Sequence, residues 1–306
     1  MTQFLTLLRR EWMQHRIGWL LVMLAPTVIL LLLSLVDGGL QIRVNDDDLQ
    51  LPPLRQASVM MQTSLLVLAV TACTLGLALL AMGFQLPGLA QRDQQDRSAE
   101  FWASLPVGHA KSVAAMLIAQ ILLLPWLAIV VGLLGGLLAA TITTVASHGP
   151  LAWAAQPWGL VLAAAGALLL RLTLGLLLAA AWLSPLLLLT MAASAWLRRW
   201  GVPVVVAASL AGTLVLDKYL PTPLVGPWLQ QVSAEALQAL LRIDAVRALQ
   251  LHNSADWLAA LQALPMLLLQ DVAPVLARAV TPGFVLALAG GVLGFVLLVL
   301  RRQRGG

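Results

Sequence analysis

Charge is what this 306-residue chain has least of: ten per cent of its residues are Asp, Glu, Lys or Arg, against sixty per cent apolar. A soluble domain carries roughly a quarter charged residues, so this composition, with a mean hydropathy of +0.91, excludes an ordinary soluble fold. A single cysteine, Cys73, excludes an intrachain disulfide and any multi-cysteine metal site. Only two lysines are present, Lys111 and Lys218, and neither follows a glycine. The Gly-Lys-Ser/Thr loop that cradles nucleotide phosphates is therefore missing. The four histidines, His15, His109, His148 and His252, are scattered and form no metal-ligand spacing. No Gly-x-Ser-x-Gly elbow occurs. The chain offers no catalytic constellation and no cofactor site, and any ATP it uses must be bound by another chain.

What is present is a series of apolar runs near the roughly 20 residues needed to cross a bilayer. Six spans are expected, at about 17–36, 58–84, 113–140, 174–197, 201–217 and 282–300. The first is too long for a signal-peptide core and has no small-x-small site before Asp37, so it reads as a retained span. Connecting segments then alternate sides. The side with both termini carries eleven basic residues and four acids; the other carries six and nine, including Asp46-Asp47-Asp48. Positive charge marks the cytoplasm, which places both termini inside. The net charge of +5 sits at span ends and not in a stripe, which speaks against nucleic acid as a partner. Apart from Asp217 at the very end of the fifth, no carboxylate falls in the six spans, which counts against a proton-coupled secondary carrier.

Two regions do not parse simply. Gly159–Leu197 is apolar throughout except for Arg171, and is expected to be one span preceded by an interfacial or re-entrant helix. Arg171 has two readings: it snorkels to the interface, or it lines a polar path. Residues 218–281 read as a helical external segment, with Ser233 capping a helix through about Gln250, Ser254 capping another, and Pro265 breaking it. Leu258–Leu269 is too short to cross. The segment lies on the lipid surface or caps a path between two copies. Trp19, Trp153, Trp158, Trp196 and Trp200 fall near span ends, as an aromatic belt would place them. Gly132-x-x-x-Gly136 and Gly290-x-x-x-Gly294 permit close helix approach without naming the partners.

The stretch from Arg92 to Lys111, RDQQDRSAEFWASLPVGHAK, interrupts this apolar background within a cytoplasmic loop at 85–111. As a helix over 93–105 it puts Ser98, Phe101, Trp102 and Leu105 on one side, with Asp93 and Arg97 paired four apart. Pro106 discourages its continuation. Physics leaves open a lipid-surface helix or a helix docking into a partner's cleft. The run Asp96-Arg97-Ser98, then Phe101-Trp102, then Ser104-Leu105-Pro106-Val107 resembles the cytoplasmic loop of permeases of type 2 ATP-binding cassette (ABC) exporters. The N-terminus, LLRREWMQHRIGWL, resembles the amphipathic elbow helix of that family, here residues 1–16 with Arg10, Glu11 and Trp12 at its centre.

The resemblance implies an all-α polytopic permease in a bacterial inner membrane. It would pair with a second copy and with two ATPase subunits that bind ATP and magnesium. Asp96, Arg97, Glu100, Phe101, Trp102, Leu105 and Pro106 would then form the coupling helix. Two alternatives remain in competition: a non-transporting membrane component of an ATPase complex, and a secondary carrier.

Overall fold

The computed structural model describes residues 2–36, 52–95, 108–219, 223–242 and 254–305. Among these residues the backbone is helical almost throughout and contains no strand. A helix satisfies its peptide groups internally, which a chain facing lipid requires. We label the helices α1 (Thr2–Val36), α2 (Pro52–Gln95), α3 (His109–Leu117), α4 (Leu124–Ala154) and α5 (Trp158–Leu197). Then follow α6 (Gly201–Ala211), α7 (Val225–Leu241), α8 (Ser254–Gln270), α9 (Val272–Ala277) and α10 (Pro282–Gly305).

Six stretches among the described residues are long and apolar enough to cross a membrane: Phe4–Leu33, Val59–Leu89, His109–Ala154, Trp158–Tyr219, Ala259–Val280 and Pro282–Arg304. The chain is an all-α polytopic membrane protein. The number matches the expectation but the membership does not. The expected spans 174–197 and 201–217 both fall within Trp158–Tyr219, and Ala259–Val280, assigned from sequence to the external segment, takes the sixth place. Backbone geometry divides the longest stretch. Arg198 has a φ of 53°, which L residues rarely adopt, and a three-residue 3-10 turn follows. Gly201 then sits against Ser194, where a Cβ would stand 2.3 Å from the Ser194 Cα. The chain reverses at this point and α6 returns along α5.

The break expected before residue 174 is absent. Helix α5 runs unbroken for 40 residues, about 60 Å at 1.5 Å per residue and roughly twice the hydrocarbon thickness of a bilayer. Its internal Pro185 cannot donate to the Ala181 carbonyl, but Ser184 Oγ donates to that carbonyl at 2.8 Å. The preceding helix adapts to Pro125 differently. A π-helical stretch at Ile118–Leu123 widens the turn before the ring.

Three local expectations also change. Helix α1 is continuous from Thr2, so residues 2–16 of the expected elbow are its first turns and not a separate helix. Ser233 lies inside α7 and donates to Leu229 O instead of capping. The cap of α7 is Asp217, whose carboxylate accepts the backbone N–H groups of Leu224, Val225 and Gly226 at 2.8, 2.9 and 2.6 Å. Helix α8 starts at Ser254 as expected, but it passes through Pro265 to Gln270.

Two close seams organise the packing. Helix α4 runs antiparallel to α2: a Cβ at Gly132 would stand 2.8 Å from Thr71 Cα, and one at Gly136 would stand 2.7 Å from Val67 Cα. Gly135 faces Thr27 of α1. Helix α10 runs parallel to the second half of α5, with Gly290 on Pro185, Gly291 on Ser184 and Gly294 on Leu188. Both glycine spacings seen in the sequence thus have partners. The bundle has two apolar centres. One joins Leu66, Ile129, Leu172, Trp182, Val232 and Leu268. The other joins Trp19, Met82, Leu89, Val113, Met191 and Leu298.

Candidate functional site

The second apolar centre defines one end of the molecule, which we call the basic end. The N-terminal half of α1, the C-terminal half of α2, the start of α3 and the C-terminal parts of α5 and α10 all meet there. Arg198 and Arg199 follow α5, and Arg301, Arg302 and Arg304 lie in the last turns of α10. Arg10, Glu11 and Trp12 are half-buried on α1, and Arg10 and Glu11 both have interaction partners. Trp12 meets the buried Trp19 edge-on at 5.7 Å, and His15 stacks on Trp19 at 5.6 Å. Of the expected belt tryptophans, Trp19 is therefore core, while Trp196 and Trp200 are exposed. Trp153 and Trp158 pack together at 5.4 Å at the opposite end.

Helices α2 and α3, which flank the expected coupling segment, both reach the basic end. Asp96, Arg97, Glu100, Phe101, Trp102, Leu105 and Pro106 lie outside the described residues. Asp93, expected to open a separate helix, belongs instead to α2, which extends to Gln95.

Arg171 neither snorkels nor lines an open path. Its side chain is 0% exposed, in the half of the bundle away from the basic end. Nε donates to Asp271 Oδ2 at 2.6 Å, Nη1 to Ala239 O at 2.7 Å, and Nη2 to Arg242 O at 2.6 Å. Asp271, 2% exposed, sits at the junction of α8 and α9. Ala239 and Arg242 end α7, where carbonyls lack intrahelical partners and the helix dipole is negative. One guanidinium thus ties α5, α7 and the α8–α9 junction together. Gly175, one turn on, makes room: a Cβ there would stand 2.5 Å from Ala239 O and 2.8 Å from the Arg171 Nη1. A partly exposed pair, Arg278 with Glu235 at 2.8 Å, adds a second link from the turn after α9 to α7.

Asp271 was missed from the sequence because its region was read as external. It qualifies the carboxylate argument, since Asp271 lies within Ala259–Val280. The available signal was a lone acid in an apolar run, one hundred residues from a lone arginine in another. A second buried polar group, Gln120, was also missed. It lies in the π-helical stretch, 0% exposed, and neither amide atom has a hydrogen-bond partner.

Compared with family models, curated proteins and solved structures, the chain matches none.

Proposed function

We propose that this chain is the membrane subunit of an ATP-driven exporter of the type 2 ABC kind, with ATP and magnesium bound by a separate ATPase chain. The observation that carries the reading is a convergence. The start of α1, the end of α10, the Arg198–Arg199 reversal and both helices flanking residues 96–107 share one arginine-rich end. By the distribution of positive charge, that end faces the cytoplasm of a bacterial inner membrane. The amphipathic segment with Phe101 and Trp102 is then available to a soluble motor. Two copies of the permease would pair around the transport path, each engaged by one ATPase subunit.

The test is purification of the tagged chain from its native membranes in mild detergent. An ATP-hydrolysing subunit should copurify. The variant Phe101→Ala/Trp102→Ala should insert normally and retain much less of it, because a buried aromatic pair contributes several-fold to tens-fold in affinity. Equal retention by wild type and variant would contradict the coupling role.

The Arg171–Asp271 pair favours a second reading, a secondary carrier, since buried ion pairs serve proton relays. Under that reading Asp271→Asn abolishes gradient-driven uptake in a correctly folded protein. Under the exporter reading, a folded Asp271→Asn variant keeps ATP-dependent transport.

A further inference from the structure

The C-terminal ends of α5 and α10 bring together four arginines, Arg198, Arg199, Arg301 and Arg304, that pair with no carboxylate among the described residues. Arg301 and Arg304 each place the guanidinium carbon 5.7 Å from the Trp196 ring centroid, from successive turns of α10. Arg301 Nε also donates to Ala195 O at 3.2 Å. Arg198 and Arg199 come two and three residues after Trp196 and are exposed. Ion pairs are seen elsewhere, at Arg171 and Arg278. The two helix C-termini offset part of this charge, but two guanidiniums over one indole, with Arg198 and Arg199 close by in sequence, still leave a strong positive field.

The surface leading up to these arginines is apolar and exposed. Val292, Val296 and Leu300 lie four apart on α10, and the next residue in that register is Arg304. Leu197 and Trp200, at and just after the end of α5, are exposed as well. A stripe long enough for an acyl chain thus ends at a cluster built for phosphate. An acidic protein surface would need the arginines but not the stripe.

We propose that Trp196, Arg198, Arg199, Arg301 and Arg304 form a binding site for an anionic phospholipid in the leaflet at the basic end. Its headgroup phosphate lies between Arg301 and Arg304, and its acyl chain lies along Val292, Val296 and Leu300. The exposed indole face of Trp196 sets the headgroup depth, as interfacial tryptophans do.

The experiment uses purified full-length protein in mixed micelles of equal phosphatidylglycerol and phosphatidylcholine, with retained lipid counted by native mass spectrometry. Wild type should retain phosphatidylglycerol in clear excess. Each basic residue near an anionic headgroup contributes about five-fold. Arg301→Gln/Arg304→Gln should therefore cut the preference by on the order of twenty-fold, while the glutamine at 301 can still donate to Ala195 O. Arg301→Lys/Arg304→Lys keeps the charge and should keep most of the preference. Equal retention of the two lipids by wild type overturns the proposal, whatever the variants do. So does a Gln variant with unchanged lipid preference, and if that variant also loses a copurifying soluble chain, the cluster is a protein-docking face instead.

Discussion

In the half of the bundle away from the basic end, a full positive charge is buried, and a carboxylate and two helix-end carbonyls receive its hydrogen bonds. In the basic half, no charged side chain is fully buried among the described residues. Trp19 Nε1 and both amide atoms of Gln120 are buried there without a hydrogen-bond partner. The first half is costly to rearrange, because separating Arg171 from Asp271 leaves two uncompensated charges. The second is held by apolar contact and a widened turn, with no buried ion pair among the described residues to separate. A motor acting at the basic end would therefore act on the half that yields more easily. The account expects movement in α1, α3 and the ends of α5 and α10, with α5, α7 and α8 moving as one body at the other end.

That contrast can be broken at its strongest point first. Arg171→Ala should destabilise the detergent-solubilised protein by about 3–5 kcal/mol, read as a fall in thermal unfolding temperature. Arg171→Leu with Asp271→Leu should recover most of that loss. If the double variant is no better than the single, the pair is not the source of the rigidity. Gly136→Leu comes next, since its side chain would meet the Val67 backbone. Overpacking of this kind costs about 1–3 kcal/mol and should separate α2 from α4, detectable as lost cross-linking between cysteines placed on the two helices.

Gln120→Leu sharpens the other side of the comparison. Replacing an unpartnered buried amide by an apolar side chain of similar volume should stabilise the protein by about 1–3 kcal/mol. A destabilised Gln120→Leu protein would mean that the amide is paired after all. The smallest effect belongs to Ser184→Ala, which leaves the Ala181 carbonyl beside Pro185 unmet and should cost about 1 kcal/mol.

Much of this architecture was legible in sequence because hydropathy and positive charge act locally. The apolar runs announced membrane helices, and the glycine spacings announced close seams, although only the fold names Thr71, Val67, Pro185 and Leu188 as what the glycines meet. What could not be read was pairing over distance. Arg171 looked like a defect in an apolar run because its partner lies one hundred residues away, on a segment whose own composition suggested a surface position. The expected break in α5 had another source, length: the apolar stretch Gly159–Leu197 exceeds one bilayer span, yet the helix runs on without ending. Ser184 hid the effect of Pro185 in the same way, one residue from the fault it mends. The expected coupling residues were read from resemblance, and the described residues place only their flanking helices.

The central claim is that the arginine-rich end is the cytoplasmic, motor-facing end and that the α4–α5 connection faces outward. Two single cysteines in a Cys73→Ser background test it directly in intact cells with a membrane-impermeant maleimide. Gln303→Cys reports on the end of α10 and Ala155→Cys on the exposed turn between α4 and α5. The account predicts labelling at 155 from outside, and labelling at 303 only after the membrane is opened. Labelling of 303 in intact cells, with 155 protected, would turn the molecule over and remove residues 96–107 from reach of any cytoplasmic ATPase.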